Sequence, residues 1–454
     1  MLKIIIENSP LLYLVQSLWR DEAFSVLVAE KSLWTFFTKL SFEPPLYYIL
    51  LHFWMKIFGE SEIAVRSLSF LGLILATVIV IFWAEKIFRK SWLSEFLPVF
   101  FFTNPMLIYY GFEVRTYGWY IFFATLSMYA YLTGKWKWYI FSAICGFYTH
   151  TYFIFTIMVQ VVHYLIYNGN RLFKKLSVKT LFSDPAVRSF IIAGLVILPW
   201  LIRVALMSSK LKNSWYFPVD FNLIRSVLGN MFLGYEGTPW YLWKYTAVLS
   251  FVLAIFFIHA IINPKTRKFN LYFFLNILLP LSVVIGISFF KPLFVNRYLL
   301  SVTIAEIFLI ALSLREIKNT AVQAVLGIVI LASSFWFNTW FPSKHAKIPY
   351  REVMYQVNAI RGKNDYIYAT SSLNFFETLY YSGNRNGVFF YSPSGSPFPW
   401  FVGEAIFDQS QMAFGLPKYP SRAIMVTPEG KISVVYEIQP NPALNSGAQT
   451  NKPQ

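Results

Sequence analysis

Cysteine is almost absent from this sequence: Cys145 is the only one in 454 residues, so no intramolecular disulfide can form and thiol usage does not reveal a redox compartment. Charge is scarce too. Asp, Glu, Lys and Arg make up 13% of the chain, against ~25% in soluble domains, while 56% of residues are hydrophobic, which excludes an ordinary soluble enzyme. There is no Cys/His metal motif, and His52 and His259 have no ligand partner at i, i+3 or i+4. A phosphate-binding loop and a G-x-S-x-G elbow are also missing, which argues against an ATP-driven pump and a serine hydrolase. The formal net charge is +17, yet no segment forms the basic stripe of a nucleic-acid binder, so no nucleic-acid partner is expected.

What the chain has instead is long apolar runs. A bilayer core takes about 20 mostly apolar residues per helix, and that template fits near 64–85, 92–110, 117–134, 138–149, 151–167, 189–207, 244–262, 271–290, 297–314 and 320–339. Basic clusters fall at every second loop: Lys86, Arg89 and Lys90; Lys135 and Lys137; Arg171, Lys174, Lys175 and Lys179; Lys265, Arg267 and Lys268; Arg315 and Lys318. The positive-inside rule turns these to the cytoplasm. The opposite loops, including Asn104–Tyr117, Trp215–Trp240 and Lys291–Tyr298, are rich in aromatics, Pro and acids and face outward. This predicts a mainly α, polytopic transmembrane helical bundle in the cell inner (plasma) membrane.

Residues 342–440 change character, with Gly and Pro turns and short β-rich runs at 365–370, 388–391, 422–427 and 432–438. Segments 350–360 and 373–381 read as helices, so a small C-terminal α/β domain is expected, and helix parity makes it extracytoplasmic. The transmembrane domain is then 1–341, and 441–454 reads as a disordered tail. Residues 1–19 hold too short an apolar run to span a bilayer. Either they lie on the outer surface or a first helix is missing or truncated.

Several of the few acids cluster in segments assigned to the outer face: Asp21 and Glu22, Glu43, and Glu113. Ionisable groups at membrane depth tend to be paired or functional. A carboxylate base beside a phosphate-bearing lipid headgroup fits them, with Arg115, Lys291 and Arg297 available to hold the anion. The plainer alternatives are a helix start favoured by acids for Asp21 and Glu22 and a local ion pair for Glu113 and Arg115. His150 is read as hydrogen-bonded core, with a metal role as its alternative.

The motifs Ser17-Leu18-Trp19-Arg20-Asp21-Glu22-Ala23-Phe24-Ser25, Glu43-Pro44-Pro45-Leu46-Tyr47-Tyr48, Gly59 to Ser67, Tyr110-Gly111-Phe112-Glu113-Val114-Arg115-Thr116-Tyr117 and Tyr148-Thr149-His150 follow one another in that order. In this the chain resembles bacterial members of the GT-C glycosyltransferase superfamily, those similar to dolichyl-phosphate-mannose protein mannosyltransferases and to the aminoarabinose transferase of lipid A. The resemblance covers about residues 17–340. It implies a membrane enzyme of the cell envelope, a hexosyl- or pentosyltransferase that moves sugar from a polyprenyl-phosphate donor to a protein, glycan or lipid acceptor. Asp21 is then the base and Glu22 its support, Glu43 organises the donor phosphate or a divalent metal ion, Glu113 is a supporting acid, and Arg297 and Tyr298 lie near the lipid phosphate. Glu43 is followed by Pro44 where some relatives carry Lys. A lipid or sugar transporter is the alternative function.

Overall fold

The computed structural model describes the chain except residues 1, 41, 175–182, 211–218, 234–241, 400–402, 404 and 438–454. The basic cluster's Lys175 and Lys179, much of the expected outer loop Trp215–Trp240 and the tail 441–454 therefore lie outside the described residues. In chain order the helices are α1 Leu2–Glu7, α2 Leu11–Val15, α3 Arg20–Ala29, α4 Leu33–Thr38, α5 Leu46–Phe58, α6 Glu62–Phe88, α7 Leu93–Thr103, α8 Pro105–Phe112, α9 Tyr117–Leu132 and α10 Trp136–Thr149. There follow α11 Phe153–Lys174, α12 Pro185–Lys210, α13 Phe221–Leu233, α14 Trp243–Ile262, α15 Arg267–Ser288, α16 Leu300–Glu316, α17 Thr320–Trp340, α18 Tyr350–Ile360 and α19 Phe375–Tyr381. Five short strands complete the list: β1 Tyr366–Ala369, β2 Val388–Tyr391, β3 Met412–Ala413, β4 Ala423–Val426 and β5 Ile432–Val435.

The chain divides into two compact units, one of residues 1–15 and 32–346 and the other of residues 16–31 with those from 347 onward. The first is a helical bundle. Among the described residues six of its helices, α6, α12, α14, α15, α17 and α16 with the turn before it, are long and apolar enough to cross a membrane, and the chain is a multi-pass membrane protein. Helix α16 is mostly apolar and is buried on every face from Leu300 to Leu314, packed among α15, α14, α7 and α9.

The apolar run 92–110, expected as one span, is two helices. Asn104 caps the second: its Oδ1 accepts from the Leu107 N–H at 3.2 Å and its amide donates to the Phe232 carbonyl at 3.0 Å. Pro105 then occupies the first turn, where its missing N–H costs nothing. Between α6 and α9 the backbones nearly touch. A Cβ on Gly118 would lie 2.0 Å from the Ser69 carbonyl oxygen, and one on Gly72 would lie 2.5 Å from the Gly118 carbonyl. Only small residues permit such an approach.

The second unit is a sheet of order β3-β2-β1-β4-β5, with β1, β2, β3 and β4 parallel and β5 antiparallel to β4. Its four longer strands and two helices form within or overlapping the segments expected for them. Helix α19 connects the central strand β1 toward β2, and α18 precedes β1. Buried Asp365, just ahead of β1, takes Arg422 Nη2 at 2.5 Å and the Gly362 N–H at 2.8 Å, tying the starts of β1 and β4 together. Residues 16–31, with α3, belong to this unit.

Candidate active site

In the membrane unit the site grows from the short link between α8 and α9. Arg115 in that link is buried, and its Nη2 is ion-paired with Glu43 Oε1 from the segment before α5. Its carbonyl accepts from Ser69 Oγ at 3.2 Å, and Ser69 Oγ in turn meets the Tyr47 hydroxyl at 2.9 Å. The α6–α9 crossing thus fixes the Arg115 backbone, and Glu43 fixes its side chain. Buried Glu113 joins through its carbonyl, which accepts the Arg115 N–H at 2.7 Å.

Arg297 arrives from the turn Asn296–Leu299 ahead of α16 and is also buried. Its guanidinium lies 5.7 Å from the Tyr298 ring centroid. Tyr298 packs on His150 and on Tyr152, both at 5.0 Å between centroids, and His150 stacks on Tyr120 at 5.1 Å. Tyr152 donates from its hydroxyl to the Leu293 carbonyl at 2.8 Å, anchoring the turn that carries Arg297. Arg297, Arg115 and Glu113 all act electrostatically on the Tyr117 hydroxyl. Two guanidinium groups therefore share one ring-lined region with Tyr117 and His150.

His150, at the joint between α10 and α11, accepts the Tyr152 N–H on Nδ1 at 3.2 Å. Burial first, then the charges of Arg115 and Arg297, holds the imidazole down at about 3, so it is neutral. These surroundings suit an anion better than a divalent cation. Glu43, one residue expected to take a metal, is committed to Arg115, and His150, the other, sits beside two cations. Among the described residues no three His, Cys, Asp or Glu side chains gather. Lys291 turns its ammonium to the Ser208 carbonyl at 2.7 Å, near the end of α12.

Asp21 and Glu22 belong to the second unit, at the start of α3, where acids favour the positive helix end. The two side chains differ. Glu22 is 0% exposed, takes Lys347 Nζ at 3.0 Å, and accepts the Trp19 N–H at 3.3 Å. Asp21 keeps 16% of its side chain exposed and pairs with Arg20 Nε at 2.9 Å. Helix α3 is strapped into its unit by the Leu18 N–H donating to the Tyr381 hydroxyl at 2.8 Å, by Phe24 against Phe376, and by the Arg385–Glu30 ion pair.

Sequence reading missed Lys347, Tyr117, Tyr152, Glu377 and Glu306. Lys347 and Glu377 lie hundreds of residues from the Asp-Glu motif, with no local pattern to join them. Glu306 had a signal, since it is an acid inside an otherwise apolar run. It is fully buried in α16, and neither carboxyl oxygen has a hydrogen-bond partner among the described residues.

No protein-family model and no curated protein sequence matches the chain. Solved structures do. ArnT from Cupriavidus metallidurans in the apo state is similar over 92% of this chain and 91% of its own, with a TM-score of 0.58 at 10% identity. The same protein bound to undecaprenyl phosphate is similar over 92% and 90%, with a TM-score of 0.59 at 12% identity. With its polytopic helical bundle and small C-terminal sheet, the chain has an ArnT-like GT-C fold.

Proposed function

We propose that this protein is a membrane glycosyltransferase that moves a sugar from a polyprenyl-phosphate donor to an acceptor hydroxyl at the outer face of the cell inner membrane, with Asp21 as base. The observation that carries the reading is the pair of buried guanidinium groups, Arg115 and Arg297, around Tyr117 and His150. Two buried cations in an aromatic region match a lipid phosphate, and Arg meets phosphate with parallel hydrogen bonds. One protein of the same fold was solved with undecaprenyl phosphate bound.

In the transfer, Asp21 takes the proton of the acceptor hydroxyl as that oxygen bonds to the anomeric carbon of the sugar. The bond from that carbon to the donor phosphate breaks, and the charge left on the phosphate oxygen is stabilised by Arg297 and Arg115. Glu43 and Glu113 hold Arg115 in place, and Tyr298 carries Arg297. The two roles are read unit by unit, so each is tested by itself. Purified protein incubated with a panel of polyprenyl-phosphate sugars and membrane extract, followed by mass analysis, should yield a glycosylated product and free polyprenyl phosphate. No product with any donor would sink the reading. Arg297→Lys should raise the donor KM and Arg297→Ala should raise it further, because a point charge replaces the fork and then nothing does. Equal donor KM in wild type and Arg297→Ala would end the phosphate role.

One observation favours a second reading, a lipid or sugar transporter. Buried Glu306 is an acid inside a membrane-spanning helix, where such groups mark transport paths. A flux assay with labelled sugar lipid in sealed vesicles separates the two, since a transporter moves the intact donor without forming product.

A further inference from the structure

Within the membrane unit, helix α12 carries a single charge in its apolar run from Phe190 to Met207. That charge is Arg203, and exposed Ile202 and Leu206 lie on either side of it. An arginine in such a run needs partners. It finds them at the end of α4, where Nη1 donates to the Phe37 carbonyl and Nη2 donates to the Thr38 carbonyl at 3.0 Å and to the Leu40 carbonyl at 2.8 Å. Its guanidinium also lies 4.9 Å from the Trp200 ring centroid. The match is reciprocal, because the last carbonyls of a helix have no donor within the helix and an Arg side chain can supply one.

Helix α4 has little else to hold it. Of its residues Phe36 alone is buried, in ring contacts with Tyr48 at 6.2 Å and His52 at 6.0 Å on α5, while Leu33, Trp34 and Phe37 are exposed. A helix this short is marginal by itself. Just beyond Leu40 comes Glu43, whose Oε1 is ion-paired with Arg115. The carbonyls bound by Arg203 and the acid bound to Arg115 are therefore on one short tether.

We propose that Arg203 is a positioning residue for the donor-phosphate site: its fork pins the end of α4 to α12, and so sets where Glu43 holds the Arg115 guanidinium. The inference rests on the reading of Arg115 as a phosphate group's partner. Without the fork, three carbonyls lose their donor, the end of α4 loosens, and Glu43 carries Arg115 with it. The bland alternative is a side chain that only anchors α12 at the membrane surface, where any long cation serves.

The test uses the full-length protein in lipid and two readouts. Hydrogen exchange in peptides covering residues 33–45 should be faster in Arg203→Ala and Arg203→Gln than in wild type. Arg203→Lys should fall between, because a point charge cannot reach three carbonyls as a fork does. Donor KM, normalised to folded protein, should rise about tenfold in Arg203→Ala, since small misplacements of a binding group are costly. Acceptor KM should stay near the wild-type value. Because Arg203 acts through Glu43, the double variant Glu43→Gln with Arg203→Ala should have a donor KM no higher than Glu43→Gln alone. Unchanged exchange in Arg203→Ala, full rescue of both readouts by Arg203→Lys, or effects on donor KM that multiply in the double variant each overturn the inference. An unchanged donor KM in Arg115→Ala instead overturns the phosphate reading, and the exchange of residues 33–45 still reports separately on the pin.

Discussion

The two acids of the Asp-Glu motif should fail in opposite ways when neutralised. Glu22 is 0% exposed and Lys347 keeps only 10% of its side chain exposed, with 3.0 Å between carboxylate and ammonium. Lys347 also lies 5.3 Å from the Trp19 ring centroid, so it is closed in on several sides. Glu22→Gln preserves shape, and the amide oxygen still accepts the Trp19 N–H, so the cap survives. What is lost is one countercharge of a nearly buried ammonium. Breaking one side of such a pair costs about 3–5 kcal/mol, or a loss of roughly two to four powers of ten in the folding equilibrium of that unit. Asp21→Asn keeps the shape of the side chain and weakens a partly exposed pair with Arg20, a contact worth under about 1 kcal/mol. Thermal unfolding of detergent-solubilised protein, read with turnover per folded molecule, separates the outcomes. Glu22→Gln should unfold early yet turn over normally while folded, and Asp21→Asn should stay folded and lose turnover. The double variant Glu22→Gln with Lys347→Met should recover much of the lost stability, because the ammonium is removed together with its carboxylate. A Glu22→Gln protein as stable as wild type, or a double variant no more stable than it, would refute the argument.

Gly118→Ala forces a methyl to within 2.0 Å of the Ser69 carbonyl oxygen; the helices must part, at a cost of about 1–3 kcal/mol, and the resulting shift of Arg115 should raise the donor KM along with lowering the unfolding temperature. Arg422 beside Asp365, followed by backbone N–H donors, holds the Asp365 carboxyl below its usual range. The stability it supplies is present above about pH 4 and is lost as the pH falls through the lowered value, so Asp365→Asn should unfold earlier than wild type at pH 7, by a margin that narrows as the pH falls below 4. Cysteine probes on a Cys145-free background should label Ser394 from outside and Lys137 only after permeabilisation; the reverse pattern would overturn the assignment of faces.

The apolar runs revealed the membrane helices because length and hydropathy are local properties. The strands of the small sheet were legible for the same reason, each a β-rich run between turn residues. The failure at 92–110 was also local in principle: Asn104-Pro105 is a cap followed by a residue suited only to a first turn. Strand β3 has two residues and no pattern to find. The site was legible in its residue types but not in its partnerships. Glu43 and Arg115 are 72 positions apart and Glu22 and Lys347 are 325 apart, and nothing in a single sequence joins them. Lys291 shows the same limit, since its place in the outer loop suggested a phosphate and nothing in the sequence announced the bond from its ammonium to the Ser208 carbonyl.

The strap of residues 16–31 into a unit completed by residues beyond 347 also sets a timetable. A ribosome adding roughly 5–20 residues per second needs about 15–65 s to travel from Glu22 to Lys347. During that interval the helical bundle is made while the Asp-Glu helix waits without its lysine, its ring partner Phe376 or its clasp Tyr381. Nascent chains stalled before residue 347 should therefore expose residues 16–31 to protease, and chains stalled after residue 437 should protect them. The acid proposed as base is thus assembled only after residue 347 has been made, and a chain terminated before it would carry the motif without the fold that makes it work.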